Sequence, residues 1–218
     1  VAMSLSKDGL NMDELWERKR QKIEQTKGLS VWRGGETFKD VVGIGNVTTF
    51  LGCLTAKRAF RAVVFLDEIE KMLAGAEGDT SGTSQAQSEA FLAWSQNTRA
   101  LGVILTGMAG SGKSLTAKAT GGEAGVPVVM MSFSSLKGSL VGETEQNTRS
   151  AFKAVDAIAQ GRALLIATCN RMQALTPEIR SRFRLGTFFY DLPDAIEQAA
   201  LWKLYRARFE IKASDKSP

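Results

Sequence analysis

The segment Gly107-Met-Ala-Gly-Ser-Gly-Lys113-Ser114 fits the spacing GxxxxGK[ST] and lies between the apolar run Leu101 to Thr106 and a helix-forming stretch. Each residue type in it suits one task. Glycines let the backbone curl so that its N–H groups converge on an anion, and a helix starting near Lys113 adds the positive end of its dipole. Lys113 has the reach and charge for the β and γ phosphates of a nucleotide, and the Ser114 hydroxyl offers a hard oxygen to Mg²⁺. The expected nucleotide-binding stretch is therefore Gly107, Met108, Ala109, Gly110, Ser111, Gly112, Lys113, Ser114 and Leu115. A second chemical signal is Val63-Val64-Phe65-Leu66-Asp67-Glu68, an apolar strand that ends in two carboxylates. Beside a phosphate-binding loop such a pair divides the work. Asp67 would hold the Mg²⁺ through water, and Glu68 would polarise a water for in-line attack on the γ-phosphate.

Composition narrows the remaining chemistry. The chain has 218 residues, 44% apolar and 23% charged, the profile of one globular domain whose core needs no disulfide or structural metal. Histidine is absent, which excludes Ser-His-Asp, Cys-His and histidine-metal mechanisms. Cys53 and Cys169 are too few for a disulfide framework and are expected as two small buried side chains in a reducing, cytoplasmic setting. Runs such as Ala62 to Leu66 and Gly125 to Met131 fall far short of the roughly 20 residues of a membrane helix, so no membrane partner is expected. The first residues lack the apolar core of a signal peptide, and Val1-Ala2 reads as a cloning remnant before Met3. The net charge of +5 suits an anionic partner, either nucleic acid or nucleotide phosphates. Arg18, Lys19, Arg20 and Lys22, and again Lys203, Arg206 and Arg208, read as solvated helix faces, with nucleic acid kept as an alternative.

These signals need elements to hold them. Strand-like runs occur at Ala62 to Leu66, Leu101 to Thr106, Val126 to Met131, Ala163 to Thr168 and Thr187 to Tyr190. Helix-like stretches occupy 11–27, 47–60, 84–98, 113–121, 143–160 and 194–210, so strands and helices alternate as in an α/β domain with a mostly parallel sheet. The low-complexity segment 75–84 is expected to be a mobile loop. In the last helix Trp202, Leu204 and Tyr205 are expected to be packing residues.

Together the two acidic and phosphate-binding segments resemble an AAA+ ATPase of the AAA type, and further stretches extend the likeness over about residues 12–205. In detail the chain is most similar to plastid and cyanobacterial AAA-type ATPases of unassigned role, through Lys19 to Leu29, Ser139 to Glu143 and Glu145 to Arg149. The resemblance implies a P-loop three-layer αβα sandwich around a five-stranded, mostly parallel sheet. It implies ATP and Mg²⁺ as ligands, ATP hydrolysis, a homo-oligomeric ring, hexameric in the family, and a protein substrate. Ala167-Thr-Cys-Asn170 resembles the family's sensor strand, so Asn170 would orient the attacking water. Thr176 to Phe183 resembles the arginine-finger region, leaving Arg180 and Arg182 as alternatives for a guanidinium that enters a neighbouring subunit. Asp40-Val-Val-Gly43 resembles the adenine-side segment, with Val42 and Gly43 near the base. Leu140 stands where translocating relatives carry an aromatic pore residue.

Two departures from the family follow. The Asp67-Glu68 strand precedes the phosphate-binding loop, whereas the family places it after the pore-loop helix. Moving residues 62–99 to follow Arg162 would restore the family order, with an Arg-Ala pair at each junction. This implies a natural or engineered rearrangement, with a mis-ordered sequence as the alternative; a parallel sheet tolerates such a rearrangement provided its crossovers remain right-handed. The second departure is a lid reduced to one helix. The expected division is an N-terminal charged extension at 1–30, a nucleotide-binding core at 31–192 and the first helix of a truncated lid at 193–218. Rival readings are a nucleic-acid switch of the clamp-loader or initiator kind, and a scaffold that binds ATP without turnover.

Overall fold

The computed structural model describes residues 5–6, 9–10, 12–73, 82–138 and 141–210. Met3, Leu140 and most of the 75–84 loop therefore lie outside the described residues. A two-stranded hairpin, β1 (Leu5–Ser6) and β2 (Gly9–Leu10), precedes helix α1 (Met12–Glu24). The chain then runs β3 (Leu29–Val31), α2 (Gly45–Lys57), β4 (Ala62–Leu66), α3 (Thr83–Thr98), β5 (Leu101–Gly107), α4 (Lys113–Ala124) and β6 (Val128–Met131). It ends through α5 (Phe133–Leu136), α6 (Val141–Ala159), β7 (Ala163–Cys169), α7 (Pro177–Arg180), β8 (Gly186–Tyr190) and α8 (Ala195–Phe209).

Six strands form one sheet in the order β3-β6-β4-β7-β5-β8. The strands from β4 to β8 run parallel, while β3 lies antiparallel on β6 with Leu29 opposite Met131. The expectation of five strands is corrected to six. The added edge strand falls across the end of the supposed 1–30 extension and was missed because Leu29-Ser-Val31 is too short to show a period. The central strands are buried on both sides, β4 and β7 along their whole length, and their continuous apolar runs follow from that.

Alternate residues of each strand serve opposite faces. Val64 and Leu66 join Phe91, Trp94 and Phe152 beneath α3 and α6, whereas Val63 and Phe65 join Val47, Leu51 and Ala117 beneath α2 and α4. On the first face Trp94 stacks on Phe152 with ring centroids 4.5 Å apart, and its Nε1 donates to Asp156 at 2.9 Å. Thr83 and Ser84 are buried in the first turn of α3, so the low-complexity loop does not reach 84. Cys169 is buried as expected, but Cys53 is exposed on α2, which corrects the reading of both as core residues. Helix α8 starts on a reciprocal cap between Asp194 and Glu197 and has no buried residue. Trp202 and Tyr205 are each 46% exposed, so the packing role expected for them is not met.

Candidate functional site

The carboxyl ends of β4, β5 and β7 open onto one cavity of about 440 Å³, lined by Asp67, Glu68, Thr168, Asn170 and the loop Ala109 to Leu115. Strand β5 leaves the sheet at Gly107, where φ is 144° and a Cβ would stand 2.3 Å from the Tyr190 carbonyl oxygen. Only glycine fits that exit. Gly110 and Gly112 then take φ of 81° and 89°, which turns the loop back over the start of α4. Lys113 is buried, and its Nζ donates to the carbonyl oxygens of Gly107 at 2.8 Å and Met108 at 2.5 Å. Burial lowers its pKa from the usual lysine value, and the negative charge of Glu70 opposes that shift.

The acidic strand end is tied to its neighbours by a chain of hydrogen bonds. Ser114 Oγ donates to Asp67 Oδ1 at 3.3 Å, and Thr168 Oγ1 donates to the same oxygen at 2.8 Å. The Thr168 hydroxyl also accepts from the Glu68 backbone N–H at 2.8 Å. Glu68 holds a left-handed conformation, φ 50°, an uncommon state for a residue with a side chain, which the surrounding contacts must hold in place. Its carboxylate accepts from Asn170 Nδ2 at 3.2 Å and pairs with Lys71. That pairing raises the Lys71 pKa. The Asn170 backbone N–H donates to Glu70 Oε1 at 2.9 Å, and Glu70 Oε2 is buried without a hydrogen-bond partner among the described residues. Burial, reinforced by the Glu70 charge, pushes the Cys169 thiol up to about 12, so it stays a neutral thiol at the foot of the site.

Thr168, Glu70 and Lys71 were not singled out by sequence reasoning. Thr168 carried a faint signal, as a hydroxyl near the end of the wholly buried strand β7, where a polar side chain must find a partner. Glu70 and Lys71 lie in the 3-10 turn Ile69–Met72, where a charged surface turn is the ordinary reading.

The predicted residues separate into three groups. Asp67, Glu68, Asn170, Lys113 and Ser114 meet in the cavity. Val42 and Gly43 line an adjoining cavity of about 290 Å³ that shares Gly110 to Gly112 and Leu115 with the first and is closed by Tyr205 and Arg208 of α8. Arg180 and Arg182 line neither cavity. Arg180 is exposed at the end of α7, and Arg182 is half-buried with its Nε unpartnered among the described residues.

The oxygen donors suit a magnesium ion. A hydroxyl and a carboxylate stand 3.3 Å apart at Ser114 and Asp67. That matches an ion that takes one or two protein oxygens and completes its shell with phosphate and water. Among the described residues no helix is long and apolar enough to cross a membrane.

Comparison with known proteins agrees with this geometry. The sequence profile of the AAA family, described as the ATPase family associated with various cellular activities, matches residues 103–161. The AAA domain-containing protein ycf46 of Guillardia theta is 21% identical across 93% of this chain and 42% of its own length. That of Trieres chinensis is 24% identical across 96% and 44%. The human ATPase family gene 2 protein homolog B is 39% identical over 82 residues, 37% of this chain and 11% of its own length. The chain thus spans about two fifths of the ycf46 relatives. Among solved structures, the FIGL-1 AAA domain in complex with ADP is similar over 88% of this chain and 67% of its own, with 16% identity and a TM-score of 0.48. Rhizobiales Trip13 is similar over 86% and 77%, with 18% identity and a TM-score of 0.37. A phosphate-binding loop, an acidic strand end and a polar strand end share one cavity; the AAA profile matches the part of the chain that holds the loop, and along most of its length the chain is similar to the ycf46 proteins.

Proposed function

We propose that this chain binds Mg-ATP and hydrolyses it to ADP and phosphate, as a cytoplasmic module of a protein-remodelling ring, hexameric by family likeness. The observation that carries the reading is the hydrogen-bond chain Ser114–Asp67–Thr168–Glu68, continued to Asn170, set against the phosphate-binding loop. In this reading Lys113 leaves the loop carbonyls for the β and γ phosphates, and the loop N–H groups hold the phosphate oxygens. Val42 and Gly43 take the base, with Tyr205 and Arg208 closing over it from α8. Ser114, and Asp67 through water, would hold Mg²⁺, which when bound would offset phosphate charge. Glu68 accepts a proton as the oxygen of a water, oriented by Asn170, bonds to the γ-phosphorus and the bond to the ADP oxygen breaks. Because Arg180 and Arg182 lie away from their own cavity, one of them serves a neighbouring subunit. The early position of the acidic strand is a rearrangement of segment order that leaves this chemistry in place.

Steady-state ATP turnover across a range of protein concentrations tests this. Specific activity is expected to rise with concentration, Glu68→Gln to keep nucleotide binding while turnover falls to background, and either Arg180→Ala or Arg182→Ala to remove the concentration dependence. ATP binding with background turnover at every concentration would overturn the hydrolytic reading. It would favour a nucleotide-gated scaffold, for which the engagement of the Glu68 carboxylate by Lys71 is the specific support.

A further inference from the structure

The opposite pole of the sheet carries a row of arginines that nucleotide chemistry does not use. Four neighbouring parallel strands start there, in the order β4, β7, β5, β8, and each is preceded by an arginine: Arg61, Arg162, Arg99 and Arg184. The register keeps the first three level. Ala62 pairs with Ala163 and Leu101 with Leu164, and the Arg61 N–H donates to the Arg162 carbonyl at 2.9 Å. Neighbouring strands stand about 4.8 Å apart, so the row extends for about 14 Å. Arg58, Arg99 and Arg162 line a cleft of about 460 Å³ with the half-buried ring of Phe60, and no carboxylate contributes to its lining.

All five arginines are exposed, and none has an ion-pair partner among the described residues. The C-terminal ends of α2, α3 and α6 come to this pole, and Arg58 and Arg99 are the C-terminal caps of α2 and α3. Each helix end supplies about half a negative charge, less than the full positive charge of each guanidinium set beside it. Asp156, in the last turns of α6, is engaged by Trp94.

We propose that this pole binds the phosphodiester backbone of single-stranded nucleic acid. Guanidinium forks match phosphate oxygens, and a line of them matches a line of phosphates better than it matches one isolated anion. Phe60 in the same cleft is half-buried and packs against the core beneath α2, and the apolar surface it leaves in the cleft suits a base, which an acidic peptide would leave unused. The site lies away from the phosphate-binding loop, so occupancy there and nucleotide binding at Lys113 are separate events.

The test is fluorescence anisotropy of a labelled mixed-sequence oligonucleotide with the full chain, at several salt concentrations and with saturating Mg-ATP present. Neutralising about four phosphates predicts a slope of log affinity on log salt near −3, or roughly 50-fold weaker binding from 50 to 200 mM salt. Arg61→Gln, Arg99→Gln and Arg162→Gln, made one at a time, should each make the slope shallower by about 0.7. Their circular dichroism and ATP binding should match the parent chain, so that lost affinity is separated from lost fold. Absence of salt-dependent binding would overturn the proposal, as would slopes unchanged in all three variants. It also fails if Mg-ATP displaces the oligonucleotide, which would place binding at the phosphate loop, or if poly-glutamate binds as tightly, which would make the pole an acidic-peptide site.

Discussion

Thr168 is the residue on which the acidic strand end depends. Its single hydroxyl accepts from the Glu68 N–H and donates to Asp67, so it fixes both carboxylate-bearing residues at once. Thr168→Val keeps the shape and removes both bonds. Leaving the half-buried Glu68 N–H without that partner should cost about 1 kcal/mol of stability. A shift of Glu68, the proposed general base, by about an ångström should lower turnover roughly 100-fold. Thr168→Ser keeps the hydroxyl and should stay within a few-fold of the parent. Thermal unfolding and ATP turnover of the two variants check this together, and equal activity in Val and parent chains would remove Thr168 from the positioning role. At this scale the sequence was legible where the residue type announces its chemistry. Lys113 and Ser114 could be read from the glycine spacing, Asp67 and Glu68 from their place beside that loop, and Asn170 through the family resemblance. Thr168 could not, because one threonine in an apolar run is also an ordinary strand residue.

Elements were legible in proportion to their length and period. The strands β4, β5 and β7 appear in the sequence as unbroken apolar runs because both of their faces are covered, and a run of that kind needs no partner to be recognised. The edge strand β3 lacks that signature: with three residues and a serine in the middle, only its pairing with β6 makes it a strand. Helix α8 shows the reverse error, since aromatic residues at helical spacing announce a buried face, and here that face stays exposed beside the nucleotide-side cavity. Between α3 and α6 the polar contact of Trp94 with Asp156 gives a pH signature. Burial raises the Asp156 pKa above its ordinary 3.8, so its charged form is disfavoured in the folded state. The folded chain therefore gains stability as pH falls through that raised value, and the gain is complete below 3.8. Asp156→Asn keeps an acceptor for Trp94 without the charge. The melting temperature of the parent should rise relative to Asp156→Asn between pH 7 and pH 4.5, and a constant difference would show that Asp156 titrates normally.

The sheet as a whole explains why segment order and site geometry can part company. Ladder hydrogen bonds depend on which strands lie side by side, and β4, β7 and β5 are neighbours at their starts whatever peptide leads into them. Joining Arg162 to Ala62 and Arg99 to Ala163 bridges adjacent strands. Joining Arg61 to Ala100 must pass the start of β7, and the non-helical Arg58–Arg61 segment supplies the slack. A chain with 62–99 moved behind Arg162 should fold to the same sheet, with a melting temperature within about 4 °C of the parent, the shift that 1 kcal/mol produces at this size. Its ATP turnover should match as well. Failure of that chain to fold would show that the written order is itself required.

The position of β7 has a consequence for how the protein is made. It lies between β4 and β5 in the sheet yet follows both in the chain. A growing polypeptide therefore completes two strands that are never partners, and each must keep one edge open until Ala163–Cys169 arrives to fill the gap. Open apolar edges invite pairing with other chains. The same strand brings Thr168 and Asn170 to Glu68, so the insertion that closes the sheet is also the one that completes the hydrogen bonds around the acidic strand end. Arrested chains that stop short of residue 163 would carry the phosphate-binding loop without its counterpart, and would be the form most in need of a chaperone.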